Sequence, residues 1–265
     1  MTAMRGVAPG GPSNGNTIQS FRTANEKGVR YVEVDVFTTK DGVLVSAHEA
    51  GIEHCGVIQN MRSETLLNCT MPHGFRVASL QQILAFPFSG IFVDLKETKH
   101  EEAAESVVRI AAKAVIEAGR QKDVVLMMYT APESVVRMVH EQGIRAGLKG
   151  YPASSEDTLE IVRKAAAAHF EMVCVKAMYV TPELVRESAK LGVWHLPWSI
   201  AAHTAQHWQE LAAAGAGGLI VLHFDKAQKE ILPHWQDPSY LWNGSSSGAV
   251  PATLSASADT QASPP

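Results

Sequence analysis

The chain reads as an α/β protein, a (β/α)₈ barrel of the TIM type over residues 1–242 with a disordered tail over 243–265. Three observations predict this. Short apolar runs alternate with amphipathic stretches from residue 1 to about 235, the signature of parallel strands joined by helices. Eight such runs can be counted, and the length suits a barrel. No glycine-rich phosphate loop follows the first run, since Gly10-Gly11-Pro12-Ser13-Asn14-Gly15 is a turn cluster, so a doubly wound sheet is only the second choice.

The expected strands are Thr2–Arg5, Tyr31–Phe37, Ile91–Leu95, Val124–Met128, Arg145–Leu148, Met172–Val175, Trp194–Trp198 and Leu219–Leu222. Helices are expected over Thr17–Lys27, Leu80–Phe86, Glu101–Ala118, Pro132–Gln142, Ser155–Ala168, Pro182–Leu191 and Ala205–Ala214. Capping residues with acidic first turns open two of them, at Ser155-Glu156-Asp157 and Thr181-Pro182-Glu183. Gly28, Gly119, Gly143 and Gly192 close others. The last 23 residues are small, polar and proline-rich, and nothing there buries a core. Just before them, His234, Trp235, Tyr240 and Trp242 are expected to pack onto the barrel.

The second strand is the most informative. Tyr31, Glu33, Asp35 and Phe37 alternate with Val32, Val34 and Val36, so Glu33 and Asp35 share a face with their α-carbons about 7 Å apart. Two carboxylates on one face of a valine-rich, buried strand repel unless a cation lies between them. Oxygen ligands favour a hard ion, magnesium before calcium. Lys40-Asp41-Gly42 then turns the chain, and the next apolar run ends in His48. Functional groups of a barrel collect at the carboxyl ends of its strands. That places Arg5, Glu33, Asp35, Asp94, Lys96, Lys176 and Trp198 at one mouth. Three carboxylates around one divalent ion, with Arg5 and Lys96 nearby, make a site for a phosphate oxyanion.

Bulk properties exclude other classes. The net charge is −4 with no Lys/Arg cluster, so no nucleic acid partner is expected. No apolar run approaches 18 residues, so stable membrane insertion is not expected either. Cys55, Cys69 and Cys174 are odd in number and widely spaced, which predicts no zinc pattern and no disulfide framework and suits a reducing cytosol.

These residues resemble the glycerophosphodiester phosphodiesterase family and, beyond it, the related sphingomyelinase-D-like phospholipases. That family opens with His-Arg-Gly and Glu-Asn-Thr, followed by Glu-x-Asp, Lys-Asp-Gly and an apolar run ending in His-Asp. The matches are Arg5-Gly6, Asn16-Thr17, Glu33-Val34-Asp35, Lys40-Asp41-Gly42 and His48-Glu49. Ala78-Ser79-Leu80-Gln81-Gln82-Ile83-Leu84 resembles its Pro-Thr-Leu-x-x-x-Leu, and Leu196-Pro197-Trp198-Ser199 its Trp-Thr strand. Val93-Asp94-Leu95-Lys96 matches the strand of the third metal ligand, closer to the sphingomyelinase-D-like branch. The resemblance implies the barrel, a divalent metal and small-molecule phosphodiester substrates.

Three departures qualify it. Met4 stands where the first acid–base histidine is expected, Gly15 stands for the glutamate before Asn-Thr, and Val221-Leu222-His223 replaces the closing Thr-Asp. One missing general acid–base group removes a factor of about 10²–10⁴. Three functions therefore compete. The first is a metal-dependent enzyme of a phosphate or diphosphate ester, working by hydrolysis or transphosphorylation, with His48, Arg5 and Lys96 catalytic and Lys176 and Trp198 on the substrate. The second is a lyase or cyclase that ionises a (di)phosphate leaving group from a hydrophobic substrate such as an isoprenoid. The third is a non-catalytic protein that binds a phosphorylated ligand.

Overall fold

A computed structural model describes residues 1–9, 14–199 and 205–230. The tail and the aromatic segment at His234–Trp242 lie outside these residues. The strands are β1 (Thr2–Met4), β2 (Tyr31–Thr38), β3 (Leu44–Ser46), β4 (Gly51–Ile52), β5 (Gly56–Val57), β6 (Gly90–Leu95), β7 (Val124–Met128), β8 (Arg145–Lys149), β9 (Met172–Cys174), β10 (Trp194–His195), β11 (Trp198–Ser199) and β12 (Ile220–Val221). The helices are α1 (Ile18–Glu26), α2 (Ser63–Asn68), α3 (Leu80–Leu84), α4 (Glu101–Glu117), α5 (Glu133–Glu141), α6 (Ser155–Ala167), α7 (Pro182–Lys190), α8 (Ala205–Ala213) and α9 (Phe224–Glu230).

The main sheet runs β10-β9-β8-β7-β6-β2-β1-β12-β11, with every neighbour on this path parallel. Its two ends are pieces of one segment, and this closes the barrel. On one side Leu196 N donates to Val173 O (2.8 Å) and Trp198 N to Val175 O (2.9 Å). On the other, Gly217 N donates to His195 O (2.8 Å) and Ile220 N to Pro197 O (2.9 Å). The expected continuous strand Trp194–Trp198 is thus split, because Pro197 has no N–H to donate while its carbonyl still accepts.

Strand alternation sorts the core into two layers. Val32, Val34, Val36, Ile91, Val93, Leu95, Val124, Leu126 and Met128 face the helices in one cluster. Met4, Tyr31, Phe92, Val125, Met127, Met172 and Cys174 fill the barrel interior in another. Glu33, Asp35 and Asp94 belong by the same period to the inward set and lie above its apolar floor. The helices start where side chains satisfy their free N–H groups: Thr17 and Ser79 make capping boxes, and Thr181 caps ahead of Pro182. The cap of α6 is Ser154, one residue before the expected Ser155.

Between β3 and α3 the chain inserts the β4–β5 hairpin and α2, where no element was expected. Here the cysteine expectation fails. Cys55 and Cys69 form a disulfide, because the hairpin and α2 bring their α-carbons to 5.9 Å. Spacing alone carries no sign of this, and the argument for a reducing cytosol from cysteine spacing no longer holds. The bond closes a loop with a sequence separation of 14. Cross-linking a loop of about 15 residues is worth roughly 3 kcal/mol in the chain-entropy model. Cys55→Ser with Cys69→Ser is therefore expected to lower the urea-unfolding free energy by about 2–3 kcal/mol, and a change below about 0.5 kcal/mol would contradict this.

His195 is buried in the barrel wall, with neither ring nitrogen hydrogen-bonded among the described residues. Burial pushes its pKa from 6.5 down to about 4. The neutral ring's contribution is therefore complete above pH 6.5 and lost as pH falls towards 4, since the unfolded chain takes up the proton first. Across that window stability is expected to drop by about 3 kcal/mol on this account. Denaturant titrations at pH 4–7 test it, and His195→Leu should flatten that slope. Among the described residues no helix is long and apolar enough to cross a membrane.

Candidate metal and phosphate site

The site grows out of register. Asp35 on β2 pairs directly with Asp94 on β6, and Glu33 sits two residues back on the same inward face. Glu33, Asp35 and Asp94 each offer an oxygen, and all three atoms lie within 4.8 Å of one another. All three residues are buried, Asp94 completely. The shared face expected for Glu33 and Asp35 is thus the interior of the barrel, and Asp94 joins them there.

Cations meet these carboxylates from three strands. Lys96 Nζ lies 2.6 Å from Asp35 Oδ1 and 2.7 Å from Asp94 Oδ2. Arg5 Nε lies 3.1 Å from Asp35 Oδ2, and the Arg5 backbone N–H donates to Glu33 Oε2 at 3.1 Å. Asn16 Nδ2 donates to Asp35 Oδ2 (2.8 Å) while its Oδ1 accepts from the Asp35 backbone N–H (3.2 Å), which holds that carboxylate's orientation. The third cation is Lys149, which sequence reasoning missed. Its Nζ pairs with Asp94 Oδ2 and lies 3.8 Å from Glu33 Oε1. The expected strand stopped at Leu148, one residue short. Extending its alternation from Arg145 through Gly147 puts Lys149 on the inward face, and that signal was present in the sequence. Tyr129 was missed likewise. It follows Val125 and Met127 by the same two-residue step, and its hydroxyl donates to Asp94 Oδ2 at 3.2 Å.

The electrostatics divide the carboxylates. Burial drives Glu33 up to about 8, with Asp35 adding to the effect against the pull of Lys149. Burial alone would raise Asp35 too, but Lys96, Lys149 and Arg5 hold it well below the usual carboxylate range. Burial works against the charge on Lys96 and Lys149, yet the acids they touch raise both, so both stay protonated. Asp94 Oδ1 is buried and has no hydrogen-bond partner among the described residues.

His48 lies on the other side of Arg5. It lines a cavity of about 350 Å³ with Arg5, Asn16, Ser46, Ile52 and Phe75. Its Nδ1 is 2.6 Å from Glu49 Oε1, and burial ahead of all else lowers its pKa. The disulfide-bonded insertion carries Ile52 and reaches the segment of Phe75, so it forms one wall of this cavity. Gly15 is also explained. A Cβ there would sit 2.8 Å from Arg5 Cβ, so a glutamate at this position would displace Arg5. Met4 faces the apolar barrel interior with Tyr31 and Phe92, where it exchanges no proton. Lys176 and Trp198 are joined by a β-bridge at the mouth, and Lys176 Nζ lies 5.8 Å from the Trp198 ring centroid. Lys149 reaches the same ring at 5.9 Å. The structure therefore brings Arg5, Glu33, Asp35, Asp94 and Lys96 into direct contact, sets Lys176 and Trp198 beside them, and places His48 across Arg5.

The model of the glycerophosphoryl diester phosphodiesterase family matches residues 5–226. The chain belongs to this family. It shares the family's barrel, and with it the class of phosphodiester-cleaving enzymes. No curated protein matches the chain. Among solved structures, a putative glycerophosphoryl diester phosphodiesterase from Silicibacter pomeroyi is similar at 19% identity and a TM-score of 0.72, covering 89% of this chain and 94% of that one. A glycerophosphodiester phosphodiesterase from Parabacteroides distasonis is similar at 19% identity and a TM-score of 0.70, covering 86% and 95%. An Oleispira antarctica phosphodiesterase, solved with its product sn-glycerol-3-phosphate, is similar at 15% identity and a TM-score of 0.68, covering 86% and 95%. At these identities the likeness speaks for the fold alone.

Proposed function

We propose that the chain is a phosphodiesterase of small-molecule phosphate esters that works with a divalent cation, magnesium before calcium, held by Glu33, Asp35 and Asp94. The observation that carries this reading is the convergence of three buried carboxylates beside Arg5 and Lys96 at one mouth of the barrel. The donor set fits a hard ion. It offers only oxygens, one of them the unpartnered Asp94 Oδ1, and burial together with the neighbouring Asp35 charge drives Glu33 up to about 8 despite the pull of Lys149, so an added cation would relieve it. When bound, the ion supplies Lewis-acid stabilisation of a phosphoryl oxygen.

The chain's own groups do the rest. Arg5, exposed on one side, and Lys96 donate charge-assisted hydrogen bonds to the phosphoryl oxygens as negative charge builds there. Asn16 holds Asp35 so that it keeps its oxygens turned inward. Among the described residues, His48 is the imidazole placed to serve as the acid–base group of this site. Its Nδ1 lies 2.6 Å from Glu49 Oε1, and burial lowers its pKa, which keeps the ring neutral and ready to take a proton at neutral pH. Lys176 and Trp198 flank the ester's organic part.

A second reading has one observation in its favour. Met4, in the apolar interior in place of an acid–base group, suits departure of a phosphate or diphosphate from a hydrophobic substrate, driven by charge stabilisation alone. Product analysis separates the two, an alcohol for hydrolysis and an olefin or ring for ionisation.

The test is turnover of bis(p-nitrophenyl) phosphate by the metal-stripped protein with and without added magnesium. Magnesium is expected to raise the rate by about 100-fold or more, and Glu33→Gln with Asp35→Asn to abolish that rise. Equal rates in magnesium and in chelator would end the metal reading. No turnover under either condition, with phosphate still bound, would favour a binding protein.

A further inference from the structure

Beyond the site that grips one phosphate, the barrel mouth carries an aromatic wall whose faces are already taken. Tyr129 and Tyr151 stack with ring centroids 5.6 Å apart and their hydroxyls 3.0 Å apart, and Trp198 meets Tyr151 edge-on at 6.1 Å. Such a wall is the usual receptor for a quaternary ammonium group. Here the chain's own ammonium groups occupy it. Lys99 Nζ lies 5.0 Å from the Tyr129 centroid and 5.8 Å from that of Tyr151, and Lys176 Nζ lies 5.8 Å from Trp198. Lys149 lies 5.8 Å from Tyr129 and 5.9 Å from Trp198.

These lysines differ in their charge balance. Lys96 and Lys149 are matched by Asp35, Asp94 and Glu33. Lys99 and Lys176 have no acidic partner among the described residues, and Lys99 is exposed. Two uncompensated positive charges therefore flank the wall next to the phosphate grip. A cationic headgroup entering there meets like charge and must displace a lysine from its ring. An anion meets the charge it lacks.

We infer that the substrate carries a second phosphoryl group, as a diphosphate or a phosphorylated alcohol does, held by Lys99 and Lys176 against the Tyr129–Tyr151–Trp198 wall, and that choline-type headgroups are refused. This inference rests on the reading of Arg5 and Lys96 as the grip on the first phosphate.

Calorimetry at saturating magnesium tests it, with inorganic phosphate, pyrophosphate and choline as probes and the full chain as receptor. Pyrophosphate should bind at least tenfold tighter than phosphate. The Lys99→Ala, Lys176→Ala double variant should bind the two anions alike, and choline should not bind. Equal affinity for both anions in the unsubstituted protein, a preference that survives in the double variant, or choline binding comparable to phosphate would overturn the inference while leaving the first site intact. Failure of phosphate itself to bind, or binding indifferent to Arg5→Ala, would overturn the phosphate grip and the inference with it.

Discussion

Asp94→Ala should lower the stability of the metal-free protein by about 3–5 kcal/mol, the cost of leaving buried charge unpaired. Asp94 is fully buried, and one of its oxygens receives both Lys96 and Lys149, which are themselves only 5% and 8% exposed. Without it, Lys96 keeps Asp35, but Lys149 is left with Glu33 at 3.8 Å, a carboxyl that burial already pushes towards its neutral form. The loss therefore falls mainly on Lys149. Urea unfolding in chelator measures it, and a double-mutant cycle with Lys149→Met locates it. Lys149→Met should recover part of the loss in the Asp94→Ala background, because a methionine of similar length needs no counter-charge. A loss below about 1 kcal/mol, or strict additivity of the two substitutions, would show that the buried pair carries no such coupling.

The second large effect concerns turnover. At saturating magnesium, Arg5→Ala and Lys96→Met should each reduce turnover about 10- to 100-fold, and His48→Ala should reduce it no more than they do. One charge-assisted hydrogen bond to a phosphoryl oxygen is worth about 1.5–3 kcal/mol, and each 1.36 kcal/mol is tenfold in rate. Met4 packs in the apolar interior and exchanges no proton, so on the proposed reading His48 is left to transfer it alone and proton transfer is expected to contribute less of the total. Lys96→Met also removes a counter-ion of Asp35 and Asp94, so its folding must be checked by melting before the rate is read. Arg5 is the cleaner probe, because its side chain is 21% exposed and its removal leaves Asp35 still paired with Lys96 and hydrogen-bonded to Asn16. A His48→Ala loss tenfold greater than both others would return the protein to ordinary acid–base hydrolysis.

The insertion links these two effects to the cavity beside His48. Its disulfide holds the wall that carries Ile52, so reduction should act on substrate affinity as well as on stability. The stability change expected for the paired serine substitutions therefore serves as its own control. Melting reports the lost cross-link, and KM reports the loosened wall.

The sequence by itself determined the local faces. A two-residue period over Tyr31–Phe37 dictates that Glu33 and Asp35 share a side and that the valines share the other, whatever the partner strands are. The same logic assigned Asp94, and the alternation of strands and helices with their caps determined the barrel class. Its reach ended at the edges of elements, where Lys149 and Tyr129 each lay one residue beyond an expected strand end. Tertiary structure decided which faces meet. Lys149 reaches Asp94 across 55 residues of chain only because the sheet order leaves β7 alone between β8 and β6, with both side chains on the inward face. Cys55 finds Cys69 only once the inserted hairpin and α2 fold against each other. The physical reason is the range of the forces. Side-chain direction is fixed by the backbone within a few residues, whereas ion pairs and cross-links join surfaces whose proximity depends on packing the whole barrel.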